Sequence, residues 1–237
     1  MLSKLKTKLF TDGATLAVIA QHAQNPLIKG FTTNPTLMRK AGITDYESFA
    51  KEMLGVVGDR PVSFEVFADD FPEMERQARK IAQWGKNVFV KIPITNTRAE
   101  SATPTVKRLA GEGIQLNVTA LMTVAQVEDT AKAVAGGPAS YISVFAGRIA
   151  DTGRDPMPIM KDALSVMATH APTSELIWAS PRELLNVFQA DQIGCHVITA
   201  TPDVLAKLTL VGKDLTDYSL DTVKMFFDDG KAAGYKL

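Results

Sequence analysis

The chain has 237 residues, 46% hydrophobic and 22% charged, a balance that suits a folded globular protein and excludes disorder. Lys+Arg and Asp+Glu each number 26, so the net charge is zero; this excludes the basic field that nucleic acid or an anionic membrane requires and mildly favours self-association into a homo-oligomer. The single cysteine, Cys195, excludes an internal disulfide, and with no signal-peptide core at the start and no apolar run near the ~20 residues of a membrane span, a cytoplasmic protein is expected.

Short β-branched or aromatic runs alternate with longer segments of helical periodicity along the whole chain. The run 8–12 precedes a helical segment at 14–24, 28–34 precedes 46–56, and 61–67 precedes 72–84. The pattern continues with 88–94 and 98–112, then 115–121 and 124–134. Next come 141–147 and 156–170, 176–180 and 182–189, and 197–201 and 203–208. A ninth helical segment near 220–233 closes the chain. Eight strand-then-helix units predict a parallel sheet closed into a (β/α)8 TIM barrel, with one domain over 1–237 and an additional C-terminal helix. The rival, a doubly wound open sheet, would carry a Gly-rich turn after its first strand, where this chain has Asp12-Gly13-Ala14.

Strands packed on both faces should read as nearly continuous apolar runs, and these do so except near their C-terminal ends. Asp12 ends the first and Thr33 and Asn34 the second; Glu65 falls late in the third and Lys91 in the fourth. Asn117 and Thr119 lie on the fifth, Ser143 on the sixth with Arg148 just beyond, and Ser180 and Arg182 after the seventh. The active sites of such barrels lie at the C-terminal face, so this collection at one end points to a site there.

Lys91 is the only charge in Val88-Phe89-Val90-Lys91-Ile92-Pro93-Ile94. Either it snorkels to solvent from a strand end, or it is a partly desolvated amine suited to attack a carbonyl and form an imine. Glu65, inside Ser63-Phe64-Glu65-Val66-Phe67, needs a charged partner or a functional task to justify its place. Asp12 is either a helix N-cap or a proton carrier beside the lysine. Asn34-Pro35 and Thr201-Pro202 read as an N-cap followed by proline, and Ser180-Pro181-Arg182-Glu183 as a capping box. Arg182, a cation in a first helical turn, would oppose the helix dipole unless an anion sat there. With Arg148 it would make a phosphate clamp; the plain alternative is two surface arginines.

The segments Phe10-Thr11-Asp12, Gly30-Phe31-Thr32-Thr33-Asn34-Pro35, Val90-Lys91-Ile92-Pro93, Leu116-Asn117-Val118-Thr119 and Ala179-Ser180-x-Arg182, in this order, resemble the transaldolase family with its short transaldolases and fructose-6-phosphate aldolases. The resemblance implies a (β/α)8 barrel, a Schiff base on Lys91, and neither a metal nor an organic cofactor. It implies that Asp12 handles the proton of the substrate C4 hydroxyl and that Glu65 and Thr119 hold a catalytic water. Asn34, Asn117 and Ser143, with Thr33, Phe145 and Ser180 beside them, would bind the dihydroxyacetone part, and Arg148 and Arg182 the phosphate. The implied substrates are small sugar phosphates of non-oxidative pentose phosphate metabolism.

The resemblance also implies glutamine at position 65 and tyrosine at 145 in the aldolase branch, so Glu65 and Phe145 resemble the transferase branch. The chain departs from the family at Gly13, where a small hydroxyl residue is usual, at Val144, where proline is usual, and in Thr95-Asn96-Thr97-Arg98. Two readings compete with a transferase: a lyase using the same Schiff base without obligatory transfer, and a non-catalytic sugar-phosphate binding barrel. The second would have no use for Lys91.

Overall fold

The computed structural model describes residues 2–236. Eight parallel strands close a barrel in chain order, β1 pairing with β8: β1 (Lys8–Asp12), β2 (Ile28–Thr32), β3 (Val62–Glu65), β4 (Val88–Pro93), β5 (Leu116–Leu121), β6 (Tyr141–Val144), β7 (Glu175–Trp178) and β8 (Val197–Ala200). The helices are α1 (Leu16–Ala23), α2 (Pro35–Lys40), α3 (Tyr46–Val57), α4 (Phe71–Ala82), α5 (Thr103–Gly111), α6 (Val124–Val134), α7 (Ala146–Asp151), α8 (Met157–His170), α9 (Leu185–Gln192), α10 (Pro202–Ala206) and α11 (Leu215–Ala232). The expected barrel is therefore present, and all eight strands fall where the alternation places them.

Two cores hold it together. The larger lies between strands and helices and includes Phe31, Phe64, Val90, Ile92, Leu116, Ile142 and Trp178. The smaller fills the barrel itself with Phe10, Phe89, Tyr141, Ile177 and Val197. The Phe10 and Tyr141 rings meet edge to face at 5.6 Å, and Phe89 lies 4.4 Å from Tyr141. Such edge and tilted contacts suit the ring quadrupoles. Below this plug, Lys8 and Glu175 pair across β1 and β7 at 2.7 Å.

Several helix starts follow local chemistry. Asn34, Asp45, Asp70 and Asp214 accept hydrogen bonds from backbone N–H groups of α2, α3, α4 and α11. Thr123 and Gln126 form a reciprocal capping box on α6.

Other boundaries correct the sequence reading. The second strand stops at Thr32 and the sixth at Val144; just beyond them begin two short helices, α2, whose Asn34-Pro35 start was expected, and α7, which was not. The segment 94–102 is a loop closed by a Thr95–Ser101 bridge, so α5 starts at Thr103 rather than 98. Ser180–Glu183 forms no capping box: Ser180 has φ 57°, α9 begins only at Leu185, and Asn186 accepts from the Arg182 and Glu183 N–H groups instead. Arg182 is therefore not in a first helical turn, and the dipole conflict expected for it does not arise. Asp12 does not cap α1 either, since Thr15 holds that position. The C-terminal helix starts at Leu215, earlier than the expected 220.

Gly30 is required by the plug, because a Cβ there would lie 2.4 Å from Phe10 Cζ. Gly30→Ala should cost about 1–3 kcal/mol by overpacking, and Phe10→Leu in the same chain should recover part of that loss. Urea denaturation of the parent and the two variants measures both effects.

Candidate active site

The C-terminal ends of the strands surround a cavity of about 610 Å³. Its wall includes Asp12, Asn34, Glu65, Lys91, Thr119, Ser143, Phe145, Arg148, Ser180 and Arg182. Ten of the twelve residues singled out from the sequence are thus brought to one surface from seven strands or the loops that follow them. They were scattered along the chain from 12 to 182, and barrel closure is what gathers them.

Lys91 is 6% exposed, so the snorkelling alternative does not hold. Its Nζ donates to the Thr33 carbonyl oxygen at 3.0 Å and lies 3.7 Å from Glu65 Oε2. Parallel pairing sets this up, because β3 and β4 place Glu65 directly beside Lys91, and β4 and β5 place Lys91 beside Asn117. An amine held in this way is fixed in direction as well as position.

Asp12 is held by two donors: the Thr32 hydroxyl at 2.7 Å and the Asn34 amide at 3.4 Å. Thr32 also shares a 2.6 Å hydrogen bond with Thr199. Asn34 does two jobs, since its side-chain oxygen accepts from Leu37 N at 3.0 Å and so caps α2. Burial raises the Asp12 carboxyl above the usual aspartate range, against the opposing pull of the Lys91 charge and the Thr32 hydrogen bond. Burial also raises Glu65; the Lys91 charge opposes this, and the Asp12 carboxylate adds to it. The arrangement therefore places beside one amine two carboxyls inclined to keep a proton. Each is a group able to exchange a proton with a molecule in the cavity.

The Thr119 hydroxyl is buried and finds no hydrogen-bond partner among the described residues. An unpaired buried hydroxyl carries a desolvation penalty, so a polar partner supplied at the site would be favoured there. Its neighbour Ala120, also on the cavity wall, has φ 66°, where β5 breaks register with β6. Ser180, after β7 and also on the cavity wall, is likewise left-handed. Two of the three non-glycine residues with positive φ among the described residues thus line the cavity, in keeping with strain stored at a working site.

Thr33 and Asn117 lie beneath the wall. The Thr33 hydroxyl donates to Ser63 O at 3.1 Å, while its carbonyl takes the Lys91 hydrogen bond. Asn117 donates to Ser63 Oγ at 2.8 Å and accepts from Ser143 Oγ at 2.7 Å. Both are fully buried, and they orient Lys91 and Ser143.

Arg148 projects from α7, its guanidinium 5.7 Å from the centre of the Phe145 ring. Arg182 follows β7 and meets α7 closely. A Cβ on Gly147 would lie 1.5 Å from the Ser180 carbonyl oxygen, so only glycine permits this approach.

Thr32, Thr199, Ala120 and Lys40 also line the cavity but were not singled out from the sequence. Alternation offered a signal for Thr32: counting by two from Gly30, which faces the plug, reaches Thr32 rather than Thr33. Thr199 follows Val197 by the same step. No comparable signal marks Lys40 or the left-handed Ala120.

Fold and site together define a (β/α)8 barrel with a buried lysine between two carboxyls at its C-terminal mouth. Comparison with known proteins narrows the class. The family model described as transaldolase/fructose-6-phosphate aldolase matches residues 9–236. A protein of Lactiplantibacillus plantarum named probable transaldolase is 38% identical over 217 residues, 90% of this chain and 95% of its own. One of the same name from Thermoanaerobacter sp. is 35% identical over 97% of this chain and 100% of its own. The solved structure of 2,3-dimethylmalate lyase, a PEP mutase/isocitrate lyase superfamily member, superposes with a TM-score of 0.52 at 13% identity. It covers 99% of this chain and 86% of its own, a likeness of fold alone. The chain belongs to the transaldolase/fructose-6-phosphate aldolase family.

The raised carboxyls predict a pH signature. A folded-state value above the unfolded ~3.9 of aspartate means that the native chain holds the proton to higher pH. This contribution is fully present below the unfolded value and is lost as pH rises through the folded one. Relative to the parent, Asp12→Asn should therefore gain stability as pH rises from about 4 towards neutrality. Urea titrations across that range measure the difference; a constant offset would mean that Asp12 titrates alike in both states.

Proposed function

We propose that the protein is a transaldolase-type transferase that moves a dihydroxyacetone unit from a ketose phosphate to an aldose phosphate through a Schiff base on Lys91. The observation that carries this reading is the buried Lys91 amine, 3.0 Å from the Thr33 carbonyl and 3.7 Å from Glu65, on the wall of a cavity shared with Asp12 and Thr119.

The steps follow from those positions. The Lys91 nitrogen adds to the C2 carbonyl of the ketose, giving a carbinolamine. Glu65, 3.7 Å from that nitrogen, delivers a proton to the departing hydroxyl, and water leaves as the iminium forms. Thr119, with its unpaired hydroxyl, is suited to hold that water with Glu65. Asp12 takes the proton of the C4 hydroxyl; the C3–C4 bond breaks, its electron pair moves to the iminium, and an aldehyde departs. The three-carbon enamine attacks an acceptor aldehyde, Asp12 returns its proton, and hydrolysis of the new iminium frees Lys91. Ser143 and Asn34 are placed to bind the three-carbon hydroxyls, and Arg148 and Arg182 the phosphate.

Glu65 and Phe145 favour transfer over simple cleavage by resemblance to the transferase branch. The relatives named probable transaldolase support the same reading. The lyase reading is separated by whether turnover requires an acceptor aldehyde. Among the described residues no helix is long and apolar enough to cross a membrane. We place the work of the protein in the cytoplasm, on the single buried Cys195 and the implied substrates.

We further infer a homo-oligomer. Helix α11 buries none of its residues, and Val223, Met225, Phe226 and Phe227 stand exposed on it. Sedimentation velocity should give a species larger than the 25.6 kDa chain, and Phe226→Glu with Phe227→Glu should reduce its size. A monomeric parent protein would refute the inference.

Reduction with sodium borohydride in the presence of fructose 6-phosphate should leave a three-carbon adduct that peptide mass spectrometry maps to Lys91. Lys91→Met should abolish both adduct and turnover. An adduct with other ketoses only would move the substrate and keep the mechanism; none with any ketose would favour the sugar-phosphate binder.

A further inference from the structure

We propose that Asp151, at the end of α7, is the positioning residue of the anion clamp: it holds Arg182 so that the free edge of its guanidinium faces the cavity. The proposal rests on the reading of Arg148 and Arg182 as the phosphate site.

Three observations carry it. First, Asp151 engages Arg182 through two parallel hydrogen bonds, Nε to Oδ1 at 3.0 Å and Nη2 to Oδ2. This edge-on pairing uses two of the five guanidinium N–H groups and fixes the plane of the fork. The Nη1 donors and one on Nη2 remain for an anion. Second, Arg182 lines the cavity and Asp151 does not, so the carboxylate stands behind the arginine rather than in the substrate's path. Third, Asp151 lies three residues beyond Arg148 on the same helix, a spacing that puts both on one side of α7. One short helix thus supplies one arginine of the clamp and the group that orients the other. The bare Cα of Gly147 pins that helix against Ser180, two residues before Arg182.

A purely structural role explains this pair poorly. Both side chains are about half exposed, 47% for Arg182 and 52% for Asp151. Exposed ion pairs add little to stability. What the pair does supply is direction. An arginine free to swing must be ordered each time an anion binds, whereas a fork already held loses less freedom on binding. The carboxylate also lowers the net charge at the clamp, so a weakly charged ligand gains little from the site and a phosphate's directed hydrogen bonds decide the outcome.

The test compares fructose 6-phosphate with unphosphorylated fructose as donors for the full chain and for Asp151→Asn and Asp151→Glu. Asparagine keeps the size and loses the charge and the second acceptor. It should raise KM for the phosphorylated donor about tenfold, with kcat within about twofold. It should leave kcat/KM for fructose unchanged, and Asp151→Glu should recover part of the loss. An unchanged or lowered KM for the phosphorylated donor in Asp151→Asn, or equal losses with both donors, would overturn the role. Borohydride adduct yields, taken on the same samples, separate the two levels. A parent protein that traps ketose while Asp151→Asn kinetics stay unchanged refutes the positioning role alone. A parent that traps none refutes the imine reading and this proposal with it.

Discussion

Everything at the mouth of this barrel depends on keeping the amine of Lys91 out of water. A buried cation must be compensated, and removing its partners would leave a penalty of several kcal/mol. Here the Thr33 carbonyl and Glu65 meet it directly. The same burial pushes the carboxyls of Glu65 and Asp12 towards holding protons. Compensation and chemistry are thus one arrangement. Glu65, which meets the lysine directly, is also a carboxyl that burial inclines to hold a proton.

The arrangement rests on alternation within the strands. Phe10 precedes Asp12 by two residues, Phe89 precedes Lys91 by two, and Tyr141 precedes Ser143 by two. Side chains two apart share a face, so each inward-facing aromatic of the plug stands one layer below an inward-facing polar group. The plug closes the barrel beneath the site and lends the polar layer a dry floor. Strain is confined to the rim, at Ala120 and Ser180, where the surrounding packed strands can hold it.

Short elements decide the finer geometry. Helix α2 takes its cap from Asn34, which also touches Asp12, so one side chain serves both the start of a helix and the seating of a buried carboxyl. Helix α7 carries Arg148 and Asp151 and docks on the loop after β7 through Gly147. Both helices have only six residues. A segment that short gives too few turns for apolar periodicity to mark it, so α2 was legible only from the Asn34-Pro35 cap at its start and α7 not at all.

By itself the sequence determined the eight strand-then-helix units, the polar residues at their C-terminal ends and the family. These follow from local periodicity, β-branched composition and motif order, all of which are properties of neighbouring residues. Tertiary structure alone decided the rest. It buried Lys91, turned Thr33 and Asn117 into supports beneath the wall, and brought Thr32 to Asp12 and Thr199 to Thr32. It replaced the capping box at Ser180 with a left-handed turn and paired Arg182 with Asp151. Each of these joins residues from different strands or loops, and their distances exist only once the barrel closes and its register is set. A capping pattern of four residues, by contrast, is a local preference, and the close approach of α7 to the loop after β7 overrode it.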